Sequence, residues 1–415
     1  MSPQSRFLFL LGLRWFPVGL LIPVLVLLPL ERGLTIAQVG AAAAVQGIVV
    51  LVLELPTGGL ADSIGRRPVL MIATGINLVS AGLLVVADSM PLFVLVYLLQ
   101  GFYRALDSGP LEAWYVDSAL AADPKADIET GLSRSGVVLG LSISGAALAG
   151  GGLVALGPWT LGSWRISALT VPVIVSFVLV VAGLVAIAVL MKEERPAKRG
   201  VSWMGDVPRA IGGALKLVRR NRVIAALIAV ELFWGFGMVT FEQLTPVRLS
   251  EVLGGADKAA ALMGPVGAAA WAASAAGAAL VPLLVRLIGP RWAGFTMRIL
   301  QGAAIAGMAL IAGPAGIIVA YLCCYTVHGA SNPVHVGLLH RQVDGPWRAS
   351  LLSLNSMVGQ PGFAIGAVLL TAIAASAGTP AAILTGAVVL AVAAPLYLVG
   401  RNSRTSSTVE FQQVA

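Results

Sequence analysis

Gly58-Gly59-Leu60-Ala61-Asp62-Ser63-Ile64-Gly65-Arg66-Arg67 sets an acid, glycines and a pair of arginines in a very short link between two long apolar runs. Glycine there lets two helices approach closely and reverse within a few residues. The surroundings make this turn informative. Hydrophobic residues form 58% of the 415, charged residues only 11%, and the mean hydropathy is +0.91. Soluble domains carry roughly 25% charged residues, so this composition is suited to lipid. A bilayer crossing takes about 20 apolar residues, which leaves room in this chain for about twelve helices with short links.

Reading the apolar runs between polar, glycine and proline breaks predicts spans at 7–30, 37–61, 68–87, 91–117, 131–156, 168–190, 223–249, 260–285, 292–312, 315–340, 349–376 and 380–400. The expected fold is an all-α integral membrane protein with two pseudo-symmetric six-helix bundles, residues 1–190 and 223–400. A basic linker at 191–222 joins them, and a tail follows at 401–415. Gly313-Pro314 and Gly378-Thr379 are links so short that their flanking helices must form antiparallel hairpins. The first run is too long for a signal-peptide core and lacks a small-residue cleavage site, so it is expected to remain as a helix.

The formal charge of +8 reflects the links rather than a nucleic-acid-binding face. With the N-terminus in the cytoplasm, 19 of the 27 basic residues fall on cytoplasmic segments, nine of them between Met191 and Arg222. Arg32, Arg165, Arg248 and Lys258 fall outside. Both termini are therefore expected to be cytoplasmic. The preference for Arg over Lys, with abundant Ala, Gly and Val, suggests a bacterial cytoplasmic membrane. Cys323 and Cys324 are the only cysteines and read as small core residues.

A shift of 224 residues lays Asp62-Ser63-Ile64-Gly65-Arg66-Arg67 over Arg286-Leu287-Ile288-Gly289-Pro290-Arg291. The same shift lays Arg104 over His328, and Ser108 over Asn332. Two matches at one offset suggest duplicated halves.

Charges inside the spans are the candidates for function, because a charge at the bilayer centre costs roughly 3 kcal/mol on insertion scales. The fourth span carries Arg104, Asp107, Glu112 and Asp117. Arg104 and Asp107 are three residues apart, so an internally neutralised pair is one expectation. Glu231 and Glu242 in the seventh span are eleven residues apart, about 20° around an ideal helix, and so share a face. A carboxyl there could exchange a proton, as proton coupling requires. Arg14 in the first span is expected to meet an anionic substrate group or a carboxylate across the cavity, Glu231 being one partner. Glu54 is assigned to the gate. His328 and Asn332 are further cavity candidates, and Trp234, Phe236, Phe241 and Trp271 could line a greasy chamber. The three histidines lack the carboxylate or thiolate company of a metal site.

With its first glycine at Gly58, the pattern G-x-x-x-D-x-x-G-R-R resembles the loop between helices 2 and 3 of the major facilitator superfamily of membrane transporters. Gln100 to Asp117, with Arg104, Ser108-Gly109, Glu112-Ala113 and Asp117, resembles the fourth helix of bacterial permeases and drug/proton antiporters of that family. The resemblance implies alternating access between two halves. It implies that Gly58, Asp62, Gly65, Arg66, Arg67 and Asp117 gate the cytoplasmic side. In that gate Asp62 accepts from a helix N-terminus near Ala349–Leu352, and Arg66 or Arg67 pairs with Asp117. Antiporters of the family usually carry a Gly-Pro pair in helix 5. This chain has Gly145-Ala146 there, which weighs against antiport.

The resulting expectation is proton-coupled efflux of small hydrophobic or amphipathic compounds, with an uptake symporter for a small metabolite as the alternative. The partners are a small-molecule substrate and the lipid bilayer, with no nucleic acid. The chain is expected to act as a monomer and to need no cofactor beyond a proton gradient. A sensor or scaffold would want an added soluble domain. No catalytic set or ATP-binding loop of the G-x-x-x-x-G-K-[ST] kind is present to support an enzyme or direct ATP drive.

Overall fold

The structure, a computed structural model, describes residues 1–193, 218–343 and 347–400. Side chains at 55, 56, 58, 59, 62, 63, 161, 164 and 347–350 lie outside the described set. The helices are α1 (Pro3–Leu21), α2 (Leu27–Glu31), α3 (Ile36–Ile64), α4 (Arg66–Val86), α5 (Met90–Asp107), α6 (Pro110–Ala122), α7 (Ile128–Ala155) and α8 (Val171–Leu190). After the basic segment follow α9 (Arg222–Val239), α10 (Thr245–Leu253), α11 (Ala256–Ala279), α12 (Val281–Ile288), α13 (Pro290–Leu310), α14 (Pro314–His340), α15 (Trp347–Ala377) and α16 (Thr379–Val392). Among the described residues, ten helical stretches are long and apolar enough to cross a bilayer. The protein is an all-α multi-pass membrane protein.

Several spans read as continuous are broken, each beside a glycine or proline. The first turns at 22–26, where Pro23 interrupts the ladder before α2. The fourth breaks at Ser108-Gly109, with Gly109 left-handed at φ +94° and Pro110 opening α6. In the seventh, a π-helical turn at Thr240–Leu244 separates α9 from α10. Pro246 has no N–H to offer the Glu242 carbonyl four residues back, so the ladder is rewired. Two hydroxyls take up carbonyls there, Thr240 Oγ1 donating to Gly237 at 2.6 Å and Thr245 Oγ1 to Thr240 at 3.1 Å. The link before α8 holds a small antiparallel hairpin that the all-α expectation did not include, Trp159–Leu161 (β1) against Trp164–Ile166 (β2).

Three described links are reduced to a single glycine, Gly65, Gly289 and Gly378, and a three-residue link ends on Gly313. Gly65, Gly289, Gly313 and Gly378 have φ between +78° and +99° and ψ between 153° and 158°. Only glycine enters this region without strain. At Gly65 the N–H still donates to Ala61 at 3.1 Å while the next helix starts at once. Gly65 and Gly289 are the residues that the 224-residue shift superposes, and they make the same turn.

The end that carries the N-terminus and the Gly65 turn is here called the terminal face. On the opposite face, Arg32 donates to the carbonyls of Leu84 (2.7 Å), Val85 (2.8 Å) and Ala87 (2.6 Å) and to Thr170 Oγ1 (3.0 Å). It thereby neutralises the negative end of α4 and ties it to α8. Helices α3 and α15 pack together, as do α7 and α11. The second contact is tightest near the opposite face, where a Cβ on Gly151 would come within 2.7 Å of the Gly264 Cα. Small residues let helices approach this closely where lipid gives no hydrophobic drive. The largest buried apolar cluster runs from Val24 and Phe93 through Phe241, Met263 and Tyr321 to Leu390.

Replacing Gly289 by Ala meets no atom within 4 Å, so its effect isolates backbone strain. Gly289→Ala should cost about 1–3 kcal/mol in detergent unfolding. Gly75→Ala, also in open space but mid-helix, should be neutral or mildly stabilising. Equal effects of the two changes would remove the strain account of the turns.

Candidate functional site

The terminal-face turn is held by two acids. Arg66 forms an ion pair with Asp117 and donates to the Ala113 carbonyl at 2.7 Å. The Glu193 carboxylate accepts the first two backbone N–H groups of α4, from Arg66 at 2.8 Å and Arg67 at 2.9 Å. It caps the positive end of that helix from a residue 126 positions away from Arg67. Arg67 reaches the Ala188 carbonyl at 2.7 Å, and Trp114 Nε1 reaches that of Lys192 at 3.0 Å. All these contacts lie within the first half of the chain, so none of them alone ties one half to the other. Gly58 and Asp62 fall on the backbone of α3, but their side-chain surroundings, and the expected contact of Asp62 near Ala349, lie outside the described residues.

Inside the spans the ionisable residues gather in three places. The first joins α1 to the end of α5. Arg14 pairs with the Asp107 carboxylate, donates to the Asp107 carbonyl at 3.1 Å, and stacks over Trp15 at 5.3 Å. Asp107 is only 5% exposed, and Tyr103 lies beside both charges. Leu10, Leu70, Thr74, Asn77 and Val180 complete a crevice around the pair. Two expectations are corrected here. Arg14 does not reach across to Glu231, and Asp107 is not neutralised chiefly by Arg104. Three residues along a helix is a 300° turn, and α5 ends at Asp107, which carries Asp107 to α1 and leaves Arg104 exposed.

The second place lies among α9, α13, α14, α15 and the C-terminal 3₁₀ turn Ala394–Leu398 (η1). His335 is 2% exposed, with Nδ1 3.0 Å from the Tyr397 hydroxyl and Nε2 3.0 Å from Asn355 Oδ1. The same Nε2 is 3.7 Å from Glu231. Arg298, 3% exposed, donates to Gln301 at 2.7 Å, and its charge acts on Glu231 and Tyr397. Arg298 Nε and Gln301 Nε2 are buried without a hydrogen-bond partner. Sequence reasoning found Glu231 but not Arg298, Gln301, Asn355 or Tyr397. An Arg and a Gln three apart within an apolar run were the available signal.

The third place lies where α3, α5, the π turn and α15 come together, a region here called the cleft. The Arg104 charge acts on both Glu54 and Glu242. Glu54 also accepts from Ser356 Oγ of α15 at 3.3 Å. Arg104 and Glu242 are both solvent-exposed. Glu231 and Glu242 therefore belong to different sites. Eleven residues of rise set them about 16 Å apart along the helix, so Glu231 meets α14 and α15 while Glu242, inside the π turn, meets the Arg104 group. On α9, Trp234 stacks on His328 of α14 with centroids 5.6 Å apart and donates to its Nδ1 at 3.4 Å. Glu112 and Asn332 are exposed, and the geometry brings neither into these groups.

A family model described as Major Facilitator Superfamily matches residues 7–334. Among solved structures, the nucleoside transporter NupG is similar over 96% of this chain and 98% of its own, at 14% identity and TM-score 0.79. A POT family transporter in complex with 5-aminolevulinic acid is similar over 95% of each chain, at 12% identity and TM-score 0.69. A sequence search of curated proteins gives no match.

Breaking the Arg14–Asp107 pair strands a buried charge. Asp107→Ala should destabilise the protein by about 3–5 kcal/mol. The double change Arg14→Met with Asp107→Leu should lose less than that single one, read by unfolding in detergent. A double variant weaker than Asp107→Ala would show that the pair is not the source of the loss.

Proposed function

The chain belongs to the major facilitator superfamily and is a membrane transporter, and from that premise we propose proton-coupled efflux of small hydrophobic or amphipathic compounds by alternating access. The observation that carries proton coupling is the buried set in the second half, where a carboxylate and an imidazole lie 3.7 Å apart beside a fully enclosed guanidinium. Protonating Glu231 removes the counter-charge of Arg298, and the set must rearrange because an unpaired buried charge is costly. The movement of one proton is thereby tied to the packing of five elements.

In this reading residues 1–190 and 223–400 are two six-helix halves that rock about a central cleft. The linker 191–222 and the tail 401–415 lie in the cytoplasm with both termini, and the protein works as a monomer in a bacterial cytoplasmic membrane. Gly58, Asp62, Gly65, Arg66, Arg67 and Asp117 form the cytoplasmic gate. The ion pair of Arg66 with Asp117 and the cap from Glu193 make this turn a rigid part that moves with the first half. Crossing to the second half falls to Asp62. The aromatic wall of the cleft favours amphipathic cargo. Uptake of a small metabolite is the second reading, drawing on the shared fold of a nucleoside transporter and of a transporter holding 5-aminolevulinic acid.

Purified protein in liposomes under an imposed pH gradient, offered a panel of both cargo types, tests this directly. Accumulation should follow the gradient, and its sign gives the direction. Transport that ignores the gradient for every carried compound sinks proton coupling. Glu231→Gln should lose gradient-driven accumulation yet keep substrate exchange, which needs no net proton movement. Asp62→Asn should slow turnover several-fold with binding unchanged. Weakened binding with intact turnover would take Asp62 out of the gate.

A further inference from the structure

The three groups are not balanced alike. Arg14 answers Asp107, and Arg298 answers Glu231. In the cleft, the one guanidinium of Arg104 acts on both Glu54 and Glu242. With both carboxyls ionised, this group carries one negative charge in excess. One oxygen of the excess is identifiable. Glu54 Oε2 is buried and has no hydrogen-bond partner, while Oε1 accepts from Ser356.

The wall beside this charge is aromatic. Phe241, next to Glu242 in the π turn, meets Tyr325 edge-on at 5.6 Å and His328 at 5.8 Å. Tyr325 contacts Tyr321 at 4.8 Å, and the Glu242 charge acts on both tyrosines. Trp234 extends the wall by stacking on His328. Phe241 and Tyr321 are buried, whereas Trp234, Tyr325 and His328 are half-buried and present ring surface. Ring faces carry negative quadrupole potential and attract cations, organic ones included. The π turn adds a third indication, since such turns concentrate at functional sites and this one delivers Glu242 to the cleft.

We propose that the cleft between the halves binds an organic monocation bearing an aromatic ring. Its positive group sits between Glu242 and Glu54, and its ring lies against Trp234, Tyr325 and His328. Arg104 is then a brake on affinity. It shares the two carboxylates with the cargo, so the cation is held by one net negative charge and can be released. This assignment rests on the transporter reading above and names its class of cargo.

Binding to the full-length protein in detergent at fixed pH, by equilibrium dialysis, provides the test. The probes are ethidium, a planar aromatic monocation, and 1-pyrenesulfonate, an aromatic anion. Ethidium should bind in preference to the anion. Glu242→Gln should weaken it about tenfold or more, as expected for losing one partner of a desolvated charge pair. Trp234→Ala should weaken it several-fold. Arg104→Gln should tighten it, whereas an Arg104 that holds an anionic cargo would make the same change abolish binding. Preference for 1-pyrenesulfonate, or wild-type ethidium affinity in Glu242→Gln, overturns the proposal even if other compounds still follow a pH gradient. Ethidium bound through Glu242 but indifferent to the gradient would support this site and sink proton coupling instead.

Discussion

The cost of a charge away from water organises this protein. Its spans are almost wholly apolar, and most of the few charges they contain fall into three groups, with Glu112 and Arg134 outside them. In a low-dielectric interior a guanidinium without a carboxylate destabilises the fold by several kcal/mol. Arg14 therefore fixes where α5 ends against α1, and Arg298 fixes how α9, α14 and η1 meet. The same constraint makes these groups useful. In the proposed mechanism a proton or a cation entering one of them would change which packing is lowest in energy.

Backbone geometry carries the other half of the design. Glycine turns at Gly65, Gly289, Gly313 and Gly378 join neighbouring helices through links of one to three residues, and one of these turns recurs 224 residues apart. Gly151 against Gly264 brings α7 and α11 together near the opposite face. By contrast, α12 at the terminal-face end of α11 buries none of its residues.

The Gly65 turn first suggests a latch between halves, but its described contacts belong to one half. Arg66 and Arg67 are occupied by Asp117, Ala113, Ala188 and Glu193. Glu193 also pins the start of the basic linker to α4, so the linker's first residues are part of the first half's structure. Arg66 takes the Asp117 partner that the resemblance implied, and Glu193 braces the same turn.

Hydropathy alone located the spans, because facing lipid restricts composition residue by residue. The glycine turns were equally legible, since a link of one or two residues admits few conformations. The sequence also showed that Arg14, Arg104, Asp107, Glu231 and Glu242 were unusual, and that Asp117 could serve an arginine of the Gly65 turn. It could not assign the partners of the buried charges. Arg14 finds Asp107, 93 residues away, and not Glu231; Arg104 turns from Asp107 to the cleft; Glu231 joins His335, Asn355 and Arg298. Pairing depends on how each helix is rotated and which helix lies beside it, and the rise of eleven residues is enough to give Glu231 and Glu242 different neighbours. Composition is local and survives in the sequence, whereas rotation and neighbourhood exist only once the helices have packed.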